Sequence, residues 1–466
     1  MTNQESTAEM ASRHVDRPNI VMIIADDQGA WALGAAGNTE IHTPQLDALA
    51  ASGTRFSNFY CTSPVCSPAR ATLLTGQPPS RHGVHDWISG RHVGADGVDY
   101  LHDQPIITDR LSEDGYRCGL SGKWHLGAND QPRKGFVHWY AHQTGGGPYY
   151  DAPVVRDGEL TEQPGYLTEA IADDAIGFIT AEAGRPDPFW LSVNFTAPHA
   201  PWKDNHPEEF TRLYQDCAFD SCPQEDDHPW TRYTDGGWPI GREPDVRQSL
   251  IGYFAAITAM DHQIGRIVAA LEEQQLRSNT VIIFVGDNGY SCGQHGIWGK
   301  GNGTYPLNMY DEAVRVPAII SRPGHIPVQV RDDLLSGYDV APTLLQLAGL
   351  PADGLGAGPG RSFGDLLDGS ERPTERVVVF DEYGASRMLR TREWKYVARR
   401  GDEPDELYDL ITDPGERTNL VAEETHAATV TALAGELTDW FDRYADPARD
   451  GSKLEVTGLG QTDPIA

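Results

Sequence analysis

Two polar pairs, Asp26-Asp27 and Asp287-Asn288, each follow an almost unbroken apolar run, residues 19–25 and 280–285. Such runs read as strands buried on both faces of a parallel sheet, and parallel sheets gather ligand sites beyond the carboxyl ends of their strands. Three carboxylates and one amide oxygen form a hard, all-oxygen donor set that suits Ca2+ or Mg2+ rather than Zn2+. Ordinary turn chemistry accounts for either pair alone, because Asp and Asn favour strand ends. Two pairs, each closing an apolar run, favour a metal.

A second group of residues suits work on an anion. Cys66 precedes a helix expected over 67–76, with Pro68 near its first turn and Gly76 as its stop. A helix N-terminus presents unpaired N–H groups and partial positive charge, so a nucleophile there lies beside a bound anion. Arg70 can add a forked contact from the first turn. A buried structural thiol is the competing reading of Cys66. Lys123 and His125 are two residues apart at the end of another strand and point to one side of an extended chain. Pro198 and Pro201 stiffen the segment that carries His199, which suits that imidazole to protonating a leaving oxygen near neutral pH. His295 and Lys300 lie in a glycine-rich stretch just after Asp287-Asn288.

The formal charge of −31 excludes nucleic acid and anionic membrane surfaces as expected partners. It would also repel an anionic substrate, so the site needs a local positive cluster. Lysine is scarce, with Lys123, Lys134, Lys203, Lys300, Lys395 and Lys453 the whole set, and two of these fall inside the motifs above. Six cysteines in 466 residues are not a disulfide framework and read as reduced thiols, Cys66 apart. No run of 18 apolar residues suggests a membrane span. The polar N-terminus lacks the basic and apolar parts of a secretory signal, which points to a cytoplasmic protein.

Helical spacing over 44–51, 107–113, 167–181, 248–274 and 339–350 alternates with strand patterns over 19–25, 54–60, 116–122, 188–194, 280–285 and 317–320. The alternation predicts an α/β fold with a doubly wound, mostly parallel sheet flanked by helices. A glycine-rich linker over 352–360 precedes short strands at 377–380, 388–390 and 394–398 and a closing helix at 425–444, together a small C-terminal α+β subdomain with an antiparallel sheet. The expected organisation is a disordered leader (1–17), a catalytic domain (18–360), the subdomain (361–450) and a tail (451–466). Residues 203–247, rich in Pro, Asp and Trp, read as an insertion that sets specificity.

The strings Cys66-x-Pro68-x-Arg70, Gly122-Lys123-Trp124-His125 and Pro198-His199-x-Pro201 together resemble the type I, formylglycine-dependent sulfatases of the alkaline phosphatase superfamily. The likeness runs in family order from Asn19 to about Leu350. It continues in Trp394-Lys395-Tyr396-Val397, Glu406–Leu410 and Asp413-Pro414-Gly415-Glu416, which are similar to the family's small subdomain. It implies the alkaline-phosphatase-like form of the fold above. It also implies that a formylglycine-generating enzyme oxidises Cys66, and that the hydrated aldehyde is the nucleophile. Asp26, Asp27, Asp287, Asn288 and residue 66 would then bind a divalent metal, usually calcium, with Mg2+ or Mn2+ as alternatives. Arg70, Lys123 and Lys300 would neutralise sulfate oxygens, and Lys123 would also orient the hydrate. His125 would hold the second hydroxyl, His199 would protonate the leaving alcohol, and Asp287 would activate the attacking hydroxyl. His295 would line the pocket. The spacer between Lys300 and Tyr310 is longer than in many members.

The expected activity is hydrolysis of a sugar, aryl or alkyl sulfate monoester through a covalent sulfo-formylglycine intermediate. Phosphonate monoester or phosphodiester hydrolysis on the same scaffold is the alternative. A non-catalytic anion-binding protein with unconverted Cys66 ranks lower.

Overall fold

The computed structural model describes residues 17–465 except 95, 371–375, 382–385, 400, 402 and 454–458. A ten-stranded sheet forms its centre. In chain order the strands are β1 (Asn19–Ala25), β2 (Thr54–Phe56), β3 (Arg117–Lys123), β4 (Phe136–His142), β5 (Tyr150–Arg156), β6 (Glu159–Tyr166), β7 (Phe189–Asn194), β8 (Thr280–Gly286), β9 (Ala318–Ser321) and β10 (Gln329–Arg331). Their order across the sheet is β10-β2-β9-β8-β1-β7-β3-β4-β5-β6. The five from β8 to β4 run parallel, and antiparallel strands extend the sheet on both sides.

Side-chain alternation along β1 divides the core. Ile20, Met22 and Ile24 face one hydrophobic layer, and Val21, Ile23 and Ala25 face the other. Helices α2 (Cys66–Thr75), α3 (Ile107–Glu113) and α6 (Val340–Leu347) cover the first face. Helices α1 (Pro44–Ala51), α4 (Leu167–Glu182) and α5 (Val246–Glu273) cover the second. Burial on both faces explains why β1 and β8 show no polar alternation, since each fully buried Val, Leu or Ile side chain contributes about 1.5–3 kcal/mol.

The register sets up the site. Ala25 pairs with Gly286, Ile24 with Asn194, and Gly122 with Asn194. The chain therefore leaves β1, β3, β7 and β8 along one rim, which is where Asp26, Lys123, Phe195 and Asp287 lie.

Beyond the linker, β11 (Arg376–Asp381), β12 (Ser386–Thr391), β13 (Trp394–Arg399) and β14 (Glu406–Asp409) form an antiparallel sheet. Helix α7 (Ala427–Tyr444) lays Leu433, Leu437 and Phe441 on it at four-residue spacing, against Phe380, Leu389, Tyr396 and Leu407. Lys395 leaves this sheet for the catalytic lobe. Its ammonium donates to Met309 O at 2.9 Å and Asp311 Oδ1 at 2.7 Å, and pairs with Glu416.

One expectation needs correction, and three features add to the expected organisation. The strand expected over 54–60 breaks after Phe56, and Phe59–Tyr60 leaves the main sheet to pair with Leu335–Ser336. Strands β4, β5 and β6 were not foreseen, because β5 and β6 carry exposed polar positions and β6 is almost wholly exposed. Of the expected leader, residues 1–16 lie outside the described residues, whereas Arg17 is placed and pairs with Asp114 at 2.5 Å. Part of the expected tail is packed against the catalytic lobe: Gln461 is 3% exposed. The six cysteines are all free, and no described helix is long and apolar enough to cross a membrane.

Candidate active site

The rim of the parallel strands holds a buried cluster of three carboxylates and three cations. Ligand oxygens of Asp26, Asp27 and Asp287 all lie within 4.8 Å of one another. Lys123 Nζ donates to Asp26 Oδ2 at 2.5 Å, Lys300 Nζ to Asp27 Oδ1 at 2.7 Å, and Arg70 Nε to Asp287 Oδ2 at 2.8 Å. Arg70 also donates to Lys123 O at 3.3 Å. Asn288 Nδ2 donates to Asp27 Oδ1 at 2.7 Å, and His199 Nε2 stands 3.7 Å from Asp27 Oδ2.

Burial raises the cost of every charge here, so the outcome depends on partners. Burial opposes ionisation of Asp26 and Asp27, but Lys123 beside the first and Lys300 beside the second hold both below the usual carboxylate range. For Asp287, burial outweighs Arg70 and leaves its carboxyl above that range. Burial would also lower the Lys300 ammonium, yet Asp27 keeps it above its ordinary value.

Cys66 opens α2, at the helix end where backbone N–H groups lack helical partners. Its Sγ is 3.3 Å from His125 Nδ1. Burial pushes the thiol up, and Lys123 and Lys300 offset this only in part. His125 is held well below the ordinary imidazole range, first by burial and then by Lys123 and Arg70. Its Nε2 faces Ile88 O at 3.1 Å. A carbonyl only accepts, so the neutral ring carries its proton on Nε2 and turns an acceptor toward Cys66. Asp27 and His125 both occupy the left-handed region, with φ of 67° and 53°. Strain of about 1–3 kcal/mol per residue persists only where surroundings impose it. Here Asp27 N donates to Asp287 Oδ1 at 3.2 Å, and Tyr253 Oη donates to Asp27 O at 2.8 Å.

Cys66, Arg70, Lys123, His125, His199, Lys300, Asp26, Asp27, Asp287 and Asn288 are thus brought to one place. His295 is not among them. Its ring stacks on Tyr310 with centroids 3.8 Å apart, and its Nε2 faces Glu312 at 3.5 Å.

A glycine wall that the sequence reading missed closes one side. A Cβ on Gly145 would lie 2.2 Å from His125 Cε1, and one on Gly146 would lie 2.6 Å from His199 Cε1. The run Gly145-Gly146-Gly147 was the available signal. Gly145→Ala is expected to displace the His125 ring and lower kcat by about 10–100-fold, in line with small misplacements at reacting groups. Steady-state kinetics beside a thermal melt would check this, since the melt should move far less than the rate.

The sulfatase family model matches residues 18–350, and the model of the N-sulphoglucosamine sulphohydrolase C-terminal region matches 293–442. This chain belongs to the sulfatase family. As such it is a sulfuric ester hydrolase. A choline-sulfatase of Rhizobium meliloti (strain 1021) is 30% identical over 90% of this sulfatase and 85% of its own length. A protein solved in complex with its substrate D-glucosamine-2-N,6-O-disulfate superposes with a TM-score of 0.79 at 24% identity, covering 94% of this chain and 100% of that one. The phosphonate monoester hydrolase of Agrobacterium radiobacter superposes with a TM-score of 0.68 at 23% identity, covering 95% and 99%. These two superpositions carry the fold alone.

The family uses a divalent metal, and the residues here fit one. Asp26 Oδ1 and Asn288 Oδ1 are buried acceptors without a hydrogen-bond partner among the described residues. An orphaned buried acceptor costs about 1–3 kcal/mol. The all-oxygen donor set matches a hard divalent cation.

Proposed function

We propose that this sulfatase hydrolyses a sulfate monoester with formylglycine at position 66 as its nucleophile and a divalent cation, Ca2+ by preference, held by Asp26, Asp27, Asp287, Asn288 and residue 66. The observation that carries the reading is the position of Cys66. It sits at a helix N-terminus, 3.3 Å from His125, within the electrostatic reach of Lys123, Lys300, Asp26 and Asp287. When bound, the cation would supply Lewis acidity and lower the pKa of a coordinated hydroxyl. The hydrated aldehyde would supply one hydroxyl for attack on sulfur and a second through which the carbonyl re-forms as sulfate leaves.

The other roles fall to side chains already in place. Lys123, Lys300 and Arg70, gathered on the carboxylate cluster, would offset the charge of a sulfate within a chain of net charge −31. His125, its proton committed to Ile88 O, offers Nδ1 as an acceptor for a hydroxyl on residue 66. His199 is only part-buried, its Nδ1 near Ala200 O at 2.7 Å, and its Nε2 faces the cluster, which suits donation to a leaving alcohol.

The substrate is proposed as a small sulfate ester or a sulfated saccharide. Segment 203–247 supports its assignment as the part that sets specificity, because it packs on the loop carrying Lys300. Tyr305 N donates to Trp230 O at 3.0 Å, His228 N to Gly296 O at 3.1 Å, and Gln224 Nε2 to Cys292 O at 2.8 Å.

The test compares turnover of an aryl sulfate, an aryl phosphodiester and a phosphonate monoester by protein co-produced with a formylglycine-generating enzyme. Faster sulfate turnover is expected, and faster phosphodiester or phosphonate turnover would reverse the assignment. Chelation is expected to abolish activity and to lower the melting temperature. Ca2+ at one hundred times its Kd should restore about 2.7 kcal/mol of stability, read by denaturant titration. A chelated protein with unchanged activity would remove the metal from the scheme.

A further inference from the structure

The segment after α7 lies beyond the stretch that either family model matches, which ends at residue 442. It nonetheless returns to the catalytic lobe. Asp446 N donates to Ser80 O at 3.1 Å and Arg449 Nη1 to Arg81 O at 2.9 Å. Gln461 then joins the loop 83–89 through both backbone and side chain. Its N–H donates to Trp87 O at 2.7 Å, and its carbonyl accepts from Ser89 N at 3.0 Å. Its Oε1 accepts from His85 N at 2.8 Å, and its Nε2 donates to Gly83 O at 2.9 Å. Gly460, at φ of 73°, makes the approach feasible, because a Cβ there would lie 2.5 Å from Trp87 O. Arg91 and Asp463 pair at 2.7 Å beside it.

The loop held in this way contains Ile88, between Trp87 and Ser89, the two residues that the Gln461 backbone bonds. Ile88 O accepts from His125 Nε2, and Ile88 N donates to Ser67 Oγ at 3.1 Å. Ser67 Oγ in turn donates to His125 O at 2.9 Å. The imidazole beside residue 66 is thus oriented by a carbonyl whose own position is fixed by the far C-terminal segment.

We propose that Gln461 is a positioning residue for catalysis: by clamping residues 83–89 it places the Ile88 carbonyl that fixes the orientation and tautomer of His125. The proposal rests on the reading of His125 as the partner of the nucleophile at position 66. Partners that orient a reacting group through another residue typically contribute 10–100-fold. Gln461 touches neither substrate nor the carboxylate cluster, so its loss should act on kcat and not on ground-state binding.

The experiment uses Gln461→Ala and a chain ending at Ser452, each compared with the full chain. For Gln461→Ala, kcat on an aryl sulfate is expected to fall about 10–100-fold, with KM within about 2-fold. A synthetic peptide of residues 453–466 is expected to restore part of the rate of the shortened chain. Histidine 15N chemical shifts, with His125 assigned by the missing signal in His125→Gln, should show the Nε2-protonated form in the full chain and a tautomeric mixture in Gln461→Ala. An unchanged kcat together with an unchanged His125 spectrum would overturn the proposal. If the shortened chain does not fold, Gln461→Ala, which removes the bonds to Gly83 O and His85 N, is read beside Gln461→Pro, which also removes the N–H donated to Trp87 O, and an unchanged kcat and His125 spectrum in both overturns the proposal. If the full chain hydrolyses no sulfate ester, the proposed function fails, while the His125 spectrum still decides the role of Gln461.

Discussion

Cys66→Ala is expected to lower kcat on an aryl sulfate by about 10^4-fold or more, because it removes the proposed nucleophile. The fold should survive. Cys66 opens a helix whose buried face also includes Ala69, Ala71, Leu73 and Leu74, so loss of one sulfur leaves a small cavity that costs about 1 kcal/mol or less. A thermal melt within a few degrees of the parent, beside near-zero turnover, is the expected pair of results. Peptide mass spectrometry of the parent should show residue 66 as the aldehyde. A variant that keeps more than a tenth of the parent rate would place the nucleophile elsewhere.

Arg70→Met is expected to affect both stability and rate. The guanidinium is buried among Asp287, Asp26 and the Lys123 carbonyl, and burial, which would lower its pKa, is outweighed first by Asp287. Methionine roughly fills the volume but leaves Asp287 without its ion-pair partner. Breaking one side of a buried ion pair costs about 3–5 kcal/mol. Denaturant unfolding should show a loss of that size. Turnover should fall by at least about 10^2-fold, since one of the three cations proposed to offset the sulfate charge is gone. A loss under about 1 kcal/mol would mean that Asp287 takes up a proton or another partner when Arg70 is removed.

The parallel centre of the sheet and the grouping of most candidate site residues could be read from the chain because both depend on local signals. Strands β1 and β8 are buried on two faces and stand out as apolar runs, and the carboxylates follow directly. The helix at Cys66 announces itself through Pro68 and Gly76. What escaped depends on contacts between distant residues. Strands β4 to β6 join the sheet beside β3 with mixed or exposed faces, so no period marks them. Gly145 and Gly146 matter only because two histidine rings stand where their side chains would be. His295 has the residue type and the neighbourhood of a pocket group, yet Tyr310 and Glu312 claim its ring. Gln461 is a plain amide whose importance comes from partners about 370 positions earlier.

Lys395 has a consequence for how the molecule comes apart. Its ammonium is fully enclosed, with acceptors on the stretch just past Lys300 and a third partner in Glu416. Nearby, Arg399 reaches from the same small sheet to Leu307 O. Separating the lobes would break these bonds and expose the apolar seam where Val377, Val379, Met388 and Val397 join the catalytic core. The two lobes should therefore denature in a single calorimetric transition, and the 1–360 piece expressed by itself should not be a stable protein.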